Sequence, residues 1–224
     1  MSRSWKREIL AVFRKEVANE ARGRAGWLTS LLFGVSAVVG VSFSTTSAKL
    51  SPALAGGLLW VILLFAATVV LPRTFTTEEE TGTGELLRLW ARPHAVFWGK
   101  ALFNLAFLLV ISLPLVVLFS LLTDLAILRP GLMLAALLGT CGSLAGGVTL
   151  CGALVSQASQ RSFLASAISL PLLIPILAMG VTAFRAVFES VALTSGPPAA
   201  LGLICYAVAS LAIGPYLFAA VWRR

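Results

Sequence analysis

The chain has 224 residues, 58% of them hydrophobic and only 12% charged, with 17 Lys and Arg against 9 Asp and Glu and a formal net charge of +8. A soluble domain carries about 25% charged residues, and a mean hydropathy of +0.95 leaves more apolar surface than one core of this size can enclose. Lipid is therefore the solvent for most of the chain. The composition argues against a soluble enzyme. It also argues against nucleic-acid binding, because the basic residues are spread over short segments between apolar runs.

Unpaired amides have no partner in hydrocarbon, and a helix needs about 20 apolar residues to cross it. Long continuous runs, without short alternating strands, point to helices and not a barrel. In chain order, residues 1–24 come first. Trp5, Ile9, Val12, Phe13, Val17 and Ala21 recur at helical spacing, with Arg7, Arg14, Lys15 and Arg22 on the other sides. This predicts an amphipathic helix lying on the membrane surface. Its charged part is too long for a secretory signal, and no small-residue cleavage site follows a short apolar core. Six transmembrane helices are then predicted over 25–44, 52–72, 95–122, 130–156, 162–183 and 198–221. Short breaks fall at 45–51, 123–129 and 157–161, and longer connections at 73–94 and 184–197. The expected fold is all-α and polytopic, one integral-membrane domain over 1–224.

The 73–94 connection is polar and acidic. Thr77 and Glu80 fit a capping box, and Glu78, Glu79 and Glu80 suit the positive end of a helix dipole. Gly82 and Gly84 bend the chain. Leu86, Leu87, Leu89 and Trp90 then form an apolar surface that needs a membrane interface or a protein to cover it, and Arg92-Pro93 ends it. In the fourth span Gly139, Gly142, Gly146, Gly147 and Gly152 crowd together, and Gly142-x-x-x-Gly146 is a close-packing pattern. Packing between subunits and packing within the chain both satisfy it. Pro171 and Pro175 should kink the fifth span. In 184–197, Phe184, Val187, Phe188 and Val191 repeat at helical spacing, with Arg185 and Glu189 four apart. That predicts a short separate interfacial or re-entrant helix.

Orientation follows from the basic residues. Thirteen of the 17 fall before the first span, in the second and fourth connections, or at the C-terminus, and Lys100 lies just beyond the second connection; these fourteen leave Lys49, Arg129 and Arg185 on the other side. Both termini are predicted to face the cytoplasm, and the positive charge to meet anionic headgroups. The single histidine, His94, falls on the cytoplasmic side. Cys141, Cys151 and Cys205 lie in spans without a Cys-x-x-Cys spacing and are expected as buried reduced thiols. No span has an ionisable group at its centre, which argues against an ion-coupled transporter. No nucleophile, acid–base pair or metal set is visible, and no catalytic, metal or cofactor-binding residue is assigned. A phosphate-binding Gly-x-x-x-x-Gly-Lys-Ser/Thr loop is also lacking.

The stretch 75–85 resembles the signature of the CcmB family, the haem exporter protein B of cytochrome c maturation. Phe75, Glu78, Gly82, Thr83 and Glu85 match it in order and spacing, while Thr81 stands for an acid and Gly84 for a leucine. Leu170-Pro171-Leu172-Leu173-Ile174-Pro175 is similar to the family's Leu-Pro-Leu-x-Ile-Pro run, and Pro52 with Gly57-Leu58-Leu59-Trp60 resembles the start of its second span. The resemblance implies a bacterial inner-membrane, ABC-2-like permease subunit without catalytic activity or bound cofactor. ATP would be used by a separate CcmA-like ATPase. Haem would be handled by partner subunits, CcmC-like and CcmD-like, and by a CcmE-like chaperone that the ATPase cycle releases. Phe75, Glu78, Glu79, Glu80, Gly82, Thr83, Glu85, Leu86 and Leu87 would form the coupling helix that docks the ATPase. Related ABC-2 permeases share an acidic Gly-Thr-Leu-Glu turn, so export of a drug, lipid or polysaccharide is the alternative.

Overall fold

The structure, a computed structural model, describes residues 5–23, 25–45, 50–70, 82, 87, 89–156, 161–191 and 193–222. Among these, seven long helices carry the fold: α1 (Trp5–Gly23), α2 (Ala25–Ser44), α3 (Pro52–Val70), α4 (Pro93–Thr123), α5 (Pro130–Ser156), α6 (Arg161–Phe188) and α7 (Gly196–Trp222). Four stretches are long and apolar enough to cross a membrane by length and composition: Gly26–Ser44, Pro93–Thr123, Pro130–Cys151 and Gly196–Ala220. Pro52–Thr68 and Leu173–Phe188 are shorter apolar helices.

Prolines open three of the helices. Pro52, Pro93 and Pro130 each stand at the first helical position, where the missing N–H costs nothing and the fixed φ suits the helix. Arg92 before α4 is extended, at φ −71° and ψ 138°. At the other end of α4, Asp124 takes a left-handed conformation, φ 53°, and donates its N–H to the Ser120 carbonyl. That closes the helix as a C-cap does. Helix α6 continues through both Pro171 and Pro175.

Helix α5 packs most extensively on α7, α3 packs on α6, and α1 lies across α4. The α5–α7 contact explains the glycine pattern. A Cβ on Gly139 would lie 2.7 Å from Leu203 Cβ, and one on Gly142 2.9 Å from Ala207 Cβ. A Cβ on Gly146 would collide with Ser210 Oγ. The Gly142-x-x-x-Gly146 face therefore seats α7 of the same chain. Small residues let the two backbones approach, and hydroxyls then bond across the helices. Ser143 Oγ donates to the Leu203 carbonyl at 2.9 Å, and Ser30 Oγ of α2 to the Ala66 carbonyl of α3 at 2.9 Å. Asn104 Nδ2 of α4 donates to Thr149 Oγ1 of α5 at 2.9 Å.

The 184–197 segment departs from the expected separate helix. Phe184–Phe188 is the last turn of α6, and the chain leaves the helix there. Phe184, Val187 and Phe188 are buried in the core, with Phe188 6.1 Å from the Phe119 ring. Arg129 fixes the ending by donating to the Ala186 carbonyl and to the Glu189 carbonyl, the latter at 3.1 Å, while Leu128 N–H donates to the Val187 carbonyl. Free carbonyls at a helix C-terminus attract such a cation. The spacing of four does pair Arg185 with Glu189, at 3.5 Å. Cys205 also departs from expectation. Cys141 and Cys151 are buried free thiols, but Cys205 is exposed on the outside of α7.

Candidate functional site

The residues leading into α4 meet α1 and α7 at one end of the bundle. Ala91 N–H donates to the Leu87 carbonyl at 3.0 Å, one helical turn before Pro93. Leu87 and Ala91 pack against a buried cluster of Val12 from α1, Val96, Phe97 and Ala101 from α4, and Phe218 from α7. The Phe97 and Phe218 rings lie 5.8 Å apart. Gly99 allows α1 to sit this close: a Cβ there would lie 2.6 Å from Val12 Cβ. The exit of the connection, α1 and the C-terminal end of α7 thus share one small core.

Ion pairs tie the same contact. Lys100 Nζ lies 3.1 Å from Glu16 Oε1, with the two side chains 0% and 7% exposed. Lys15 Nζ is 3.6 Å from the same carboxylate oxygen. Closer to the end of the bundle, Arg92 Nε lies 3.9 Å from Glu8 Oε1. At the far end of α1, Glu20 Oε1 accepts the Trp27 backbone N–H at 2.9 Å, satisfying a donor in the first turn of α2. A buried charge is retained only with its partner in place. The Glu16–Lys100 pair therefore fixes where α1 crosses α4.

Beyond this core the surface turns outward. Leu89 and Trp90 are 82% and 74% exposed, an apolar pair that needs a covering surface. His94 follows at the start of α4, its ring 5.4 Å from Tyr216 and edge-on to it.

Of the predicted coupling residues, Leu87 belongs to this platform, and Gly82 holds φ +66°, a left-handed value that glycine adopts without strain. Phe75, Glu78, Glu79, Glu80, Thr83, Glu85 and Leu86 lie outside the described residues. Gly142 and Gly146 sit in the α5–α7 contact and Pro171 in α6; Pro175 is an exposed residue of α6. Hydropathy alone passes over Glu16, Lys100, Glu8 and Arg92. A usable signal existed: Glu16 continues the Ile9–Val12 row of α1 (Val12 plus four, Ile9 plus seven), and Lys100 follows Val96 by one turn in an apolar run.

Among the described residues no three His, Cys, Asp or Glu side chains gather as a metal site. The platform consists of an exposed apolar pair joined to a small core that holds three helices.

A profile of the family described as CcmB protein matches residues 7–224. The Heme exporter protein B of Bradyrhizobium diazoefficiens is 29% identical over 220 residues, covering 96% of this chain and 97% of that protein. The similarity thus runs from α1 through the platform to the end of α7, and the chain belongs to the CcmB family.

Proposed function

We propose that this chain is the non-catalytic permease subunit of an ABC-type complex for cytochrome c biogenesis. A separate CcmA-like ATPase drives it, and CcmC-like and CcmD-like membrane subunits with a CcmE-like chaperone handle haem. In this reading α2 to α7 are six spans of a bacterial inner membrane, with both termini in the cytoplasm. Helix α3, at 19 residues, is about 28 Å long, close to the ~30 Å hydrocarbon thickness. The basic residues of α1 and Arg92 stand at the platform end, and Arg129 and Arg185 at the opposite end, a distribution that supports this orientation.

The single observation that carries the reading is the joint between Leu87, the α4 start, α1 and α7. A subunit that grips Leu89, Trp90 and the acidic turn before them (Phe75, Glu78, Glu79, Glu80, Gly82, Thr83, Glu85, Leu86) pulls on three helices at once. ATP binding and hydrolysis in that subunit then rock the bundle as rigid bodies. Haem is cargo of the partners here. The only histidine, His94, packs on Tyr216 at the platform end, while Met133 lies in the first turn of α5 at the other and Met179 in α6, and no axial pair is assigned to this chain.

Deleting the gene and measuring c-type cytochromes tests the biogenesis role, with restoration expected from the wild-type chain and not from one carrying Lys at Glu78, Glu79 and Glu80. The same variant should lose co-purification of the ATPase. Normal cytochrome levels in the deletion strain turn the assignment to the alternative, an ABC-2 export permease for a drug, lipid or polysaccharide.

A further inference from the structure

Helix α1 is nearly balanced in charge: Lys6, Arg7, Arg14, Lys15 and Arg22 against Glu8, Glu16 and Glu20. The fold separates the two signs. All three carboxylates are engaged inside the chain, Glu8 with Arg92, Glu16 with Lys100 and Glu20 with the Trp27 amide. Lys6, Arg7, Arg14 and Arg22 remain exposed, so the outer face of α1 carries cations only. Beside this face α1 and α4 diverge from their crossing at Val12 and Gly99. They leave an open groove of about 590 Å³ walled by Leu10 and Phe13 of α1 and Leu102, Leu105 and Leu109 of α4. Among the described residues, Lys6 is the one charged group in its lining.

We propose that this groove binds an anionic phospholipid, with one acyl chain along α4 and the phosphate headgroup between Lys6 and Arg14. Lys6, Leu10 and Arg14 follow one another at intervals of four, so they stack in one row of the helix. The two cations therefore flank the apolar floor. The stretch from Leu102 to Leu109 is about 10 Å of helix, a length equal to about a third of a ~30 Å hydrocarbon layer. Charge complementarity selects the occupant: cations at the rim suit a phosphodiester, and leucine and phenylalanine walls suit an alkyl chain. A second groove on the Val17–Ala21 side of α1 holds Glu20 and, among the described residues, no cation in its lining, so charge there does not favour an anion.

The site rests on α1 lying at the membrane surface, as its amphipathic pattern predicts, but not on ATPase coupling, and binding to the isolated protein separates the two. The purified chain in detergent is titrated with palmitoyl-oleoyl phosphatidylglycerol or with phosphatidylcholine of the same chains, and bound lipid is read by native mass spectrometry. Each cation near an anionic headgroup contributes about a fivefold gain in affinity. The expected preference for phosphatidylglycerol is therefore about 25-fold. It falls about fivefold in Lys6→Gln and to near parity in Lys6→Gln/Arg14→Gln, and is unchanged in Arg22→Gln. Leu102→Trp narrows the groove and should lower binding of both lipids, with wild-type helicity confirming the fold. Equal retention of the two lipids, or a preference that survives the double substitution, overturns the proposal. So does a co-purified polypeptide held in place of lipid and displaced by Leu102→Trp.

Discussion

Replacing Lys100 with methionine tests how α1 is held to the bundle. The substitution keeps the length and packing of the stem but removes the charge 3.1 Å from Glu16 Oε1. Glu16, 6% exposed, is left with Lys15 at 3.6 Å, a side chain 33% exposed whose attraction is weakened by solvent. Breaking one side of a buried pair costs about 3–5 kcal/mol, and Lys15 places the loss toward the lower end. Removing both charges together, as Glu16→Gln/Lys100→Met, leaves no unpaired charge at position 16 and should recover much of it, giving a coupling energy of about 2–3 kcal/mol. Denaturant titration of the purified protein, followed by α1 cleavage or helicity, measures all four corners of the cycle. Single losses that add to within about 0.5 kcal/mol in the double variant would refute an energetic link between α1 and α4 through this pair.

Three other variants separate packing from docking. Gly146→Leu drives a side chain into Ser210 across the α5–α7 contact and should cost at least ~1–3 kcal/mol, read as a fall in thermal midpoint; an unchanged midpoint would mean that α5 and α7 are not in close contact. Arg129→Ala frees the Ala186 and Glu189 carbonyls, at a cost of about 1–3 kcal/mol, and hydrogen exchange should speed up in the last turn of α6 and not in the middle of α5. Leu89→Ser with Trp90→Ala alters only exposed side chains. Stability should stay within about 0.5 kcal/mol while ATPase co-purification is lost, and retained co-purification would remove these two residues from the docking surface.

Much of the helical layout follows from apolar run length. The helices begin where the sequence puts proline, at Pro52, Pro93 and Pro130, and the close approach at Gly142 and Gly146 is visible as a spacing of small residues. Which helix fills that approach is not a local property, and only the fold identifies α7. The 184–188 turn was legible as helical but not as part of α6, because a break in hydropathy at Arg185 resembles the end of a span. Arg129, more than 50 residues earlier, supplies the contacts that carry the helix through it. Glu16 and Lys100 were legible only in part: their register with Val12 and Val96 marks the face, but the partner of each charge appears only when α1 crosses α4 and buries both.

The most direct test of the account is the side of the membrane on which the platform lies and what covers it. In a chain with Cys141, Cys151 and Cys205 replaced by alanine, Leu89→Cys is treated with a membrane-impermeant maleimide in inside-out and right-side-out vesicles. Labelling only in inside-out vesicles, and protection when the ATPase subunit is present, is the predicted result. Labelling from the right-side-out face would contradict both the topology and the proposed grip on the ATPase.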